Sequence, residues 1–149
     1  MLNYKNILCP VDFDAVSLSV IPLAAALALE SHTWLHLLHV ARIPAQDMDS
    51  PVPMAPVPRW EKEAASRLQE IADKTLDKQC QYLVHVRSGI PDNDIVPFAD
   101  QLGAELIVMA THGRKGFEHL MLGSVVESVT REANCPVLII RPKPQHTPS

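Results

Sequence analysis

Glu105-Leu106-Ile107-Val108-Met109-Ala110 is an apolar run that opens into Thr111-His112-Gly113-Arg114-Lys115-Gly116-Phe117-Glu118-His119-Leu120-Met121-Leu122-Gly123, and a helical pattern follows from Ser124 to Ala133. The run reads as a strand buried on both faces, because it lacks the polar alternation of a strand with one wet face. A buried strand, a polar glycine-bearing loop and a helix, in that order, form the repeating unit of an alternating α/β chain.

The same alternation extends in both directions. Ile7-Leu8-Cys9-Pro10-Val11 is a first strand, with Pro10 tolerable where the strand leaves the sheet. A helix follows over 19–30, with Ser19 as its N-cap and Pro22 harmless in the first turn. Thr33–Val40 is a second strand with Trp34, His36, Leu38 and Val40 on one face and Leu35, Leu37 and His39 on the other. Trp60–Gln79 is an amphipathic helix whose wet side carries Glu63–Arg67 and Glu70–Lys74 as i,i+4 pairs. Tyr82–Val86 is a third strand, followed by a helix capped by Asp92 or Asn93 and ended by Gly103. Pro136–Arg141 is a fifth strand. Five buried strands alternating with helices indicate a doubly wound α/β domain with a parallel sheet. Ligands of such sheets bind beyond the carboxyl ends of the strands, at the topological switch point. That directs attention to Pro10–Asp12, Val40 onward and Ala110 onward.

Composition narrows the function classes. The chain has 149 residues, 47% of them hydrophobic, and a formal net charge of −4. The length suits one domain, expected over residues 1–141, with 142–149 as a proline-bearing flexible tail. The apolar content excludes wholesale disorder, and the mild acidity argues against coating nucleic acid. Cys9, Cys80 and Cys135 form no CxxC and read as small buried hydrophobes rather than a zinc site or disulfide framework. The start of the chain lacks signal-peptide features, and no apolar stretch reaches the roughly 18 residues of a membrane span, so a soluble cytoplasmic protein without membrane contact is expected. Residues 42–59 form a proline-rich loop, with prolines at 44, 51, 53, 56 and 58 and polyproline character.

The loop after Ala110 carries the chemistry. Gly113 and Gly116 permit close backbone approach, Gly123-Ser124 places amides at a helix N-terminus, and Arg114 and Lys115 add cationic donors. Together these suit a phosphate group. Ser124-Val125-Val126-Glu127 also reads as a capping box, which accounts for Ser124 and Glu127 as helix starters. Neither GxxxxGK[ST] nor a GxGxxG after the first strand is present, which disfavours Walker-type enzymes and dinucleotide dehydrogenases. His36 and His39 point to opposite faces of a strand, so no metal site is expected. No nucleophile–base constellation is apparent, so no catalytic residue is assigned.

The spacing Ala110-x2-Gly113-x9-Gly123-Ser124 resembles the G-x2-G-x9-G-[ST] signature of the universal stress protein family, with alanine in place of the first glycine. Asn6–Asp12, Leu37–Val40, Gly89–Pro91, Glu105–Arg114 and Asn134–Ile140 extend the likeness over nearly the whole chain. The resemblance implies a five-stranded parallel sheet of order 3-2-1-4-5 with helices on both faces, of the adenine-nucleotide alpha-hydrolase-like kind. It implies ATP, ADP or AMP as ligand, with or without Mg²⁺. Asp12 would contact the adenosine, with Pro10 and Val11 lining the pocket. Val40 would meet adenine through its backbone, and Met109 and Ala110 would floor the ribose. His112, Gly113, Arg114, Gly123, Ser124 and Val125 would hold the phosphates. Asp14 stands where the family often has a small hydroxyl residue, and the N-cap preference of Asp makes it a cap of the first helix. The function implied is a cytoplasmic stress-response sensor in which adenine nucleotide orders the 110–124 loop, with at most weak hydrolysis. The alternatives are a member that binds no nucleotide and works through protein contacts, or a slow ATPase using Asp12 or Asp14. The family's pairing of last strands across a two-fold axis implies a homodimer through Pro136–Arg141.

Overall fold

A computed structural model describes residues 3–42, 58–111 and 122–141. The strands are β1 (Ile7–Pro10), β2 (Leu35–Ala41), β3 (Tyr82–Ser88), β4 (Leu106–Ala110) and β5 (Val137–Ile140). They form one sheet in the order β3-β2-β1-β4-β5, and every adjacent pair is parallel. The helices are α1 (Ala15–Leu18), α2 (Ile21–Glu30), α3 (Pro58–Thr75), α4 (Pro91–Leu102) and α5 (Ser124–Glu132). The doubly wound architecture and the 3-2-1-4-5 order are those expected.

The sheet separates two cores. On one face, Ile7, Cys9, Leu35, Leu37 and Val108 pack against Ile21, Ala24 and Ala28 of α2 and Leu68 and Ala72 of α3. On the other, Leu8, Leu38, Ile107 and Met109 pack against Ile95 and Ala99 of α4 and Val126 and Val129 of α5. Both faces of β1 and β4 are therefore dry, which is why their sequences run apolar without alternation. Cys9 and Cys80 are buried and Cys135 is half-buried against the second core, as the expected packing role requires. Among the described residues no helix is long and apolar enough to cross a membrane.

Several local expectations need correction. Ser19 closes α1 instead of opening α2, with its N–H donating to Ala15 and its hydroxyl donating to Val16 O. Helix α2 begins after Val20, and Pro22 sits harmlessly in its first turn. Helix α4 begins at Pro91, so neither Asp92 nor Asn93 is its N-cap. Asp92 instead takes Arg42 (2.9 Å), while the Asp94 carboxylate accepts the Ile90 N–H (2.6 Å). Gly103 ends α4 in the left-handed region, φ 71°, as its glycine suggested. Glu70–Lys74 is paired at 3.9 Å, but Glu63 pairs with Arg59 at 3.7 Å, not with Arg67. The polyproline stretch and the tail lie almost wholly outside the described residues.

Candidate functional site at the strand ends

The site originates in unequal strand lengths. Peptide groups along a strand point alternately to its two neighbours. Ile7 and Val11 donate to Trp34 O and Leu38 O on β2, so the even positions of β1 face β4. The β1–β4 pairing covers Ile7↔Leu106 and Leu8↔Ile107 and goes no further. The next donor on that side would be the N–H of residue 10, which proline lacks. Pro10 thus ends the ladder and opens a crevice between β1 and β4, at the point where the strand order reverses.

On its other side β1 stops at Pro10↔Leu38, while β2 continues to Ala41. Leu38 O faces β1 and Ala41 O faces β3, where it accepts the Gly89 N–H. By alternation the Val40 N–H and C=O face the space beyond the end of β1. They form an adjacent donor and acceptor presented by rigid sheet backbone.

A cavity of about 1020 Å³ occupies this notch. Pro10, Val11 and Asp12, Val40, Met109 and Ala110, and Gly123, Ser124 and Val125 all line it. The structure therefore gathers nine of the thirteen expected ligand residues, drawn from four separate chain segments. The other four, His112, Gly113, Arg114 and Gly116, lie outside the described residues. Ala110 is also part of the core facing α2 and α3.

Asp12 is held firmly. Its N–H donates to the buried Ser17 hydroxyl (2.9 Å), and its Oδ1 accepts the Asp14 N–H (2.9 Å). One carboxylate oxygen is thereby engaged, leaving Oδ2 for a donor in the cavity. Asp14 does occupy the N-cap position of α1, with extended backbone (φ −80°, ψ 144°), but its side chain makes no cap bond.

The start of α5 also departs from expectation. Gly123 is the N-cap and Ser124 the first helical residue, so the capping box does not form and no side chain caps the helix. Gly123 N–H donates to Thr111 O (3.0 Å), and so is not an open amide. The first bond within the helix is Glu127 N–H to Gly123 O. The amides of Ser124, Val125 and Val126 precede that bond, and all three residues border the cavity. Uncapped first-turn amides, at the positive end of the helix dipole, favour an anion there.

The lining residues that sequence reasoning missed include Phe13, His39, Arg42 and Arg67. His39 Nδ1–H donates to Val11 O (3.0 Å), and its ring lies 4.6 Å from that of Phe13. Arg67 of α3 places its guanidinium carbon 4.2 Å from the Phe13 ring centroid. The signal for His39 was available, since it shares the face of Leu35 and Leu37 one residue before Val40. Arg67 looked satisfied by Glu63, which hid it. Among the described residues no cluster of His, Cys, Asp and Glu could hold a metal ion.

The model of the universal stress protein family matches residues 3–141. A universal stress protein of Methanocaldococcus jannaschii is 32% identical over 145 residues, covering 93% of this chain and 82% of the relative. The structure of universal stress protein UspA from Lactobacillus plantarum superimposes with a TM-score of 0.71 at 26% identity, over 93% of this chain and 99% of that one. A universal stress protein solved in complex with cAMP shares the fold at a TM-score of 0.61 and 23% identity, over 93% and 98% of the two chains. From its strand order to the span of the family match, the chain belongs to the universal stress protein family.

Proposed function

We propose that this chain is a cytoplasmic regulator that binds an adenine nucleotide, ATP foremost, in the cavity at the ends of β1, β2 and β4. One observation carries the reading: a single cavity presents the outward peptide edge of Val40 and the uncapped amides of Ser124–Val126. A donor beside an acceptor matches the hydrogen-bonding edge of a purine, and the amides match a phosphate. Asp12 Oδ2 supplies an acceptor for a ribose hydroxyl between them. The cAMP complex of a protein with this fold is in keeping with an adenylate ligand. Mg²⁺, where it accompanies ATP, would ride on the phosphates with few protein ligands.

The bound ligand acts by coupling the strand ends to α5 and to the segment between Thr111 and Gly123, whose ends are clipped together. A regulatory effect requires that nucleotide favour one conformational state over another. The edge strand β5, with Leu138 39% exposed, supports a homodimer through Pro136–Arg141. Light scattering at micromolar protein should give twice the chain mass, and a monomer overturns that part.

Thermal denaturation with and without ATP tests the ligand. Ligand at about a hundred times its Kd stabilises the folded state by about 2.7 kcal/mol, which appears as a raised midpoint. No shift at millimolar ATP overturns the reading and favours a family member that acts through protein contacts alone.

A further inference from the structure

Arg67 enters the cavity from an unexpected direction. It lies on the outer face of α3, four residues after Glu63, where a solvent ion pair would satisfy it. Glu63 is instead engaged by Arg59. The Arg67 side chain turns onto the Phe13 ring, and among the described residues no carboxylate lies within ion-pair distance of it. Arg42, the other cation lining the cavity, is committed to Asp92 at 2.9 Å. The cavity therefore holds one guanidinium with no counter-ion among these residues.

The packing also determines what that guanidinium can do. An aromatic ring engages the face of a guanidinium, while its five N–H donors lie in the plane and remain open at the edge. Stacking restrains the long side chain before any ligand arrives. A restrained planar fork with open edges matches phosphate oxygens bidentately, which a flexible ammonium does not. Arg67 shares the cavity with Ser124 and Val125, so the guanidinium and the α5 amides can act on one anionic ligand.

We propose that Arg67, braced on Phe13, receives the polyphosphate tail of the nucleotide, making this a site for nucleoside di- and triphosphates in preference to nucleosides. The assignment rests on reading the cavity as a nucleotide site, and the experiment separates the two. Titration calorimetry on wild type and Arg67→Gln uses three probes: ATP, adenosine and inorganic tripolyphosphate. Arg67 is solvent-exposed on a helix, so the variant should keep the wild-type circular dichroism and melt cooperatively, lowered by no more than the lost Phe13 contact. Loss of a charge-assisted contact should weaken ATP and tripolyphosphate by about tenfold or more. Adenosine should stay within about twofold, since its binding does not use that contact. Equal weakening of ATP and adenosine would show the guanidinium stacking on the base, and overturns the assignment. Unchanged ATP affinity in the variant overturns it as well, while leaving the nucleotide reading intact. If wild type binds tripolyphosphate in an Arg67-dependent manner but neither ATP nor adenosine, the nucleotide reading falls and Arg67 keeps its role as an anion receptor. Binding of none of the three removes both.

Discussion

Acid should destabilise this protein through a hydrogen-bond chain that runs in one direction only. His36, 5% exposed on β2, places Nε2 3.2 Å from Asn6 Oδ1 and Nδ1 2.9 Å from His85 Nε2. Asn6 Nδ2 donates to Leu102 O, so its oxygen is the acceptor. His36 must then carry its hydrogen on Nε2 and accept at Nδ1, and His85 must donate from Nε2. A proton added to His36 would set two N–H donors against each other. Burial, and then the neighbouring His85, lower the His36 pKa from 6.5 to about 4. His85 is lowered in turn by burial and then by Arg87. In the interval between those two values the unfolded chain takes up a proton that the folded protein refuses. Each pH unit there removes about 1.4 kcal/mol, so the interval as a whole removes roughly 3 kcal/mol. The stabilisation is complete above about pH 6.5 and is lost as the pH falls toward 4. Urea denaturation of wild type and His36→Leu at pH 7.5, 6.5, 5.5 and 4.5 isolates this contribution, because carboxylates titrate in both proteins. The variant should begin about 1–2 kcal/mol less stable, with Asn6 Oδ1 unpaired. It should then lose about 2–3 kcal/mol less than wild type by pH 4.5. Curves that remain parallel across the series would refute the reasoning.

Three further outcomes can be checked directly. Gly89→Ala drives a Cβ into Asp94 Oδ2, displacing the carboxylate that accepts the Ile90 N–H; it should cost about 1–2 kcal/mol in urea denaturation, and a smaller cost in an Asp94→Ala background would identify the lost bond as the cause. Cys9 is fully buried and its thiol is pushed up to about 12 by burial, so an aromatic disulfide reagent at pH 8 should label it no faster than the protein unfolds; rapid labelling of Cys9 in the native state contradicts the packing. Gly123 has φ −65° and ψ 159°, which valine tolerates, so Gly123→Val should fold normally but abolish the thermal shift with ATP by crowding the α5 amides; full ATP binding by that variant would refute the phosphate seat.

The parts of the fold that read directly from the sequence are those in which one physical rule acts alone. β1 and β4 are dry on both faces, and their unbroken apolar runs announce it. Gly103 was legible because a left-handed helix end favours a residue without Cβ. The errors fall where two partners compete for one group. Asp92 looked like a cap, but Arg42 takes its carboxylate, and Asp94 bonds the Ile90 N–H in its place. Ser124 and Glu127 satisfy the capping pattern, but the helix starts one residue earlier than that pattern needs. Arg67 has an acid at helical spacing and still faces the cavity, because Phe13 arrives from a chain segment 54 residues away. Local spacing carries no information about such arrivals. Twelve of the thirteen ligand residues came from family resemblance and Gly116 from the glycine pattern of the loop, and the structure supplies a physical reason for Val40 that its side chain does not contain.

The break that Pro10 makes in the β1–β4 ladder has a consequence for the thermodynamics of an empty site. In many crevices the walls can zip together when vacant, and an incoming molecule must first prise them apart. Here one tooth of the zipper is missing from the covalent backbone, so the two strand ends have no hydrogen bond to regain by closing. The vacancy should be nearly as open as the occupied state, and little affinity is lost to reopening it. Restoring the tooth with Pro10→Ala would allow the seam to run further, trading ligand affinity for sheet stability.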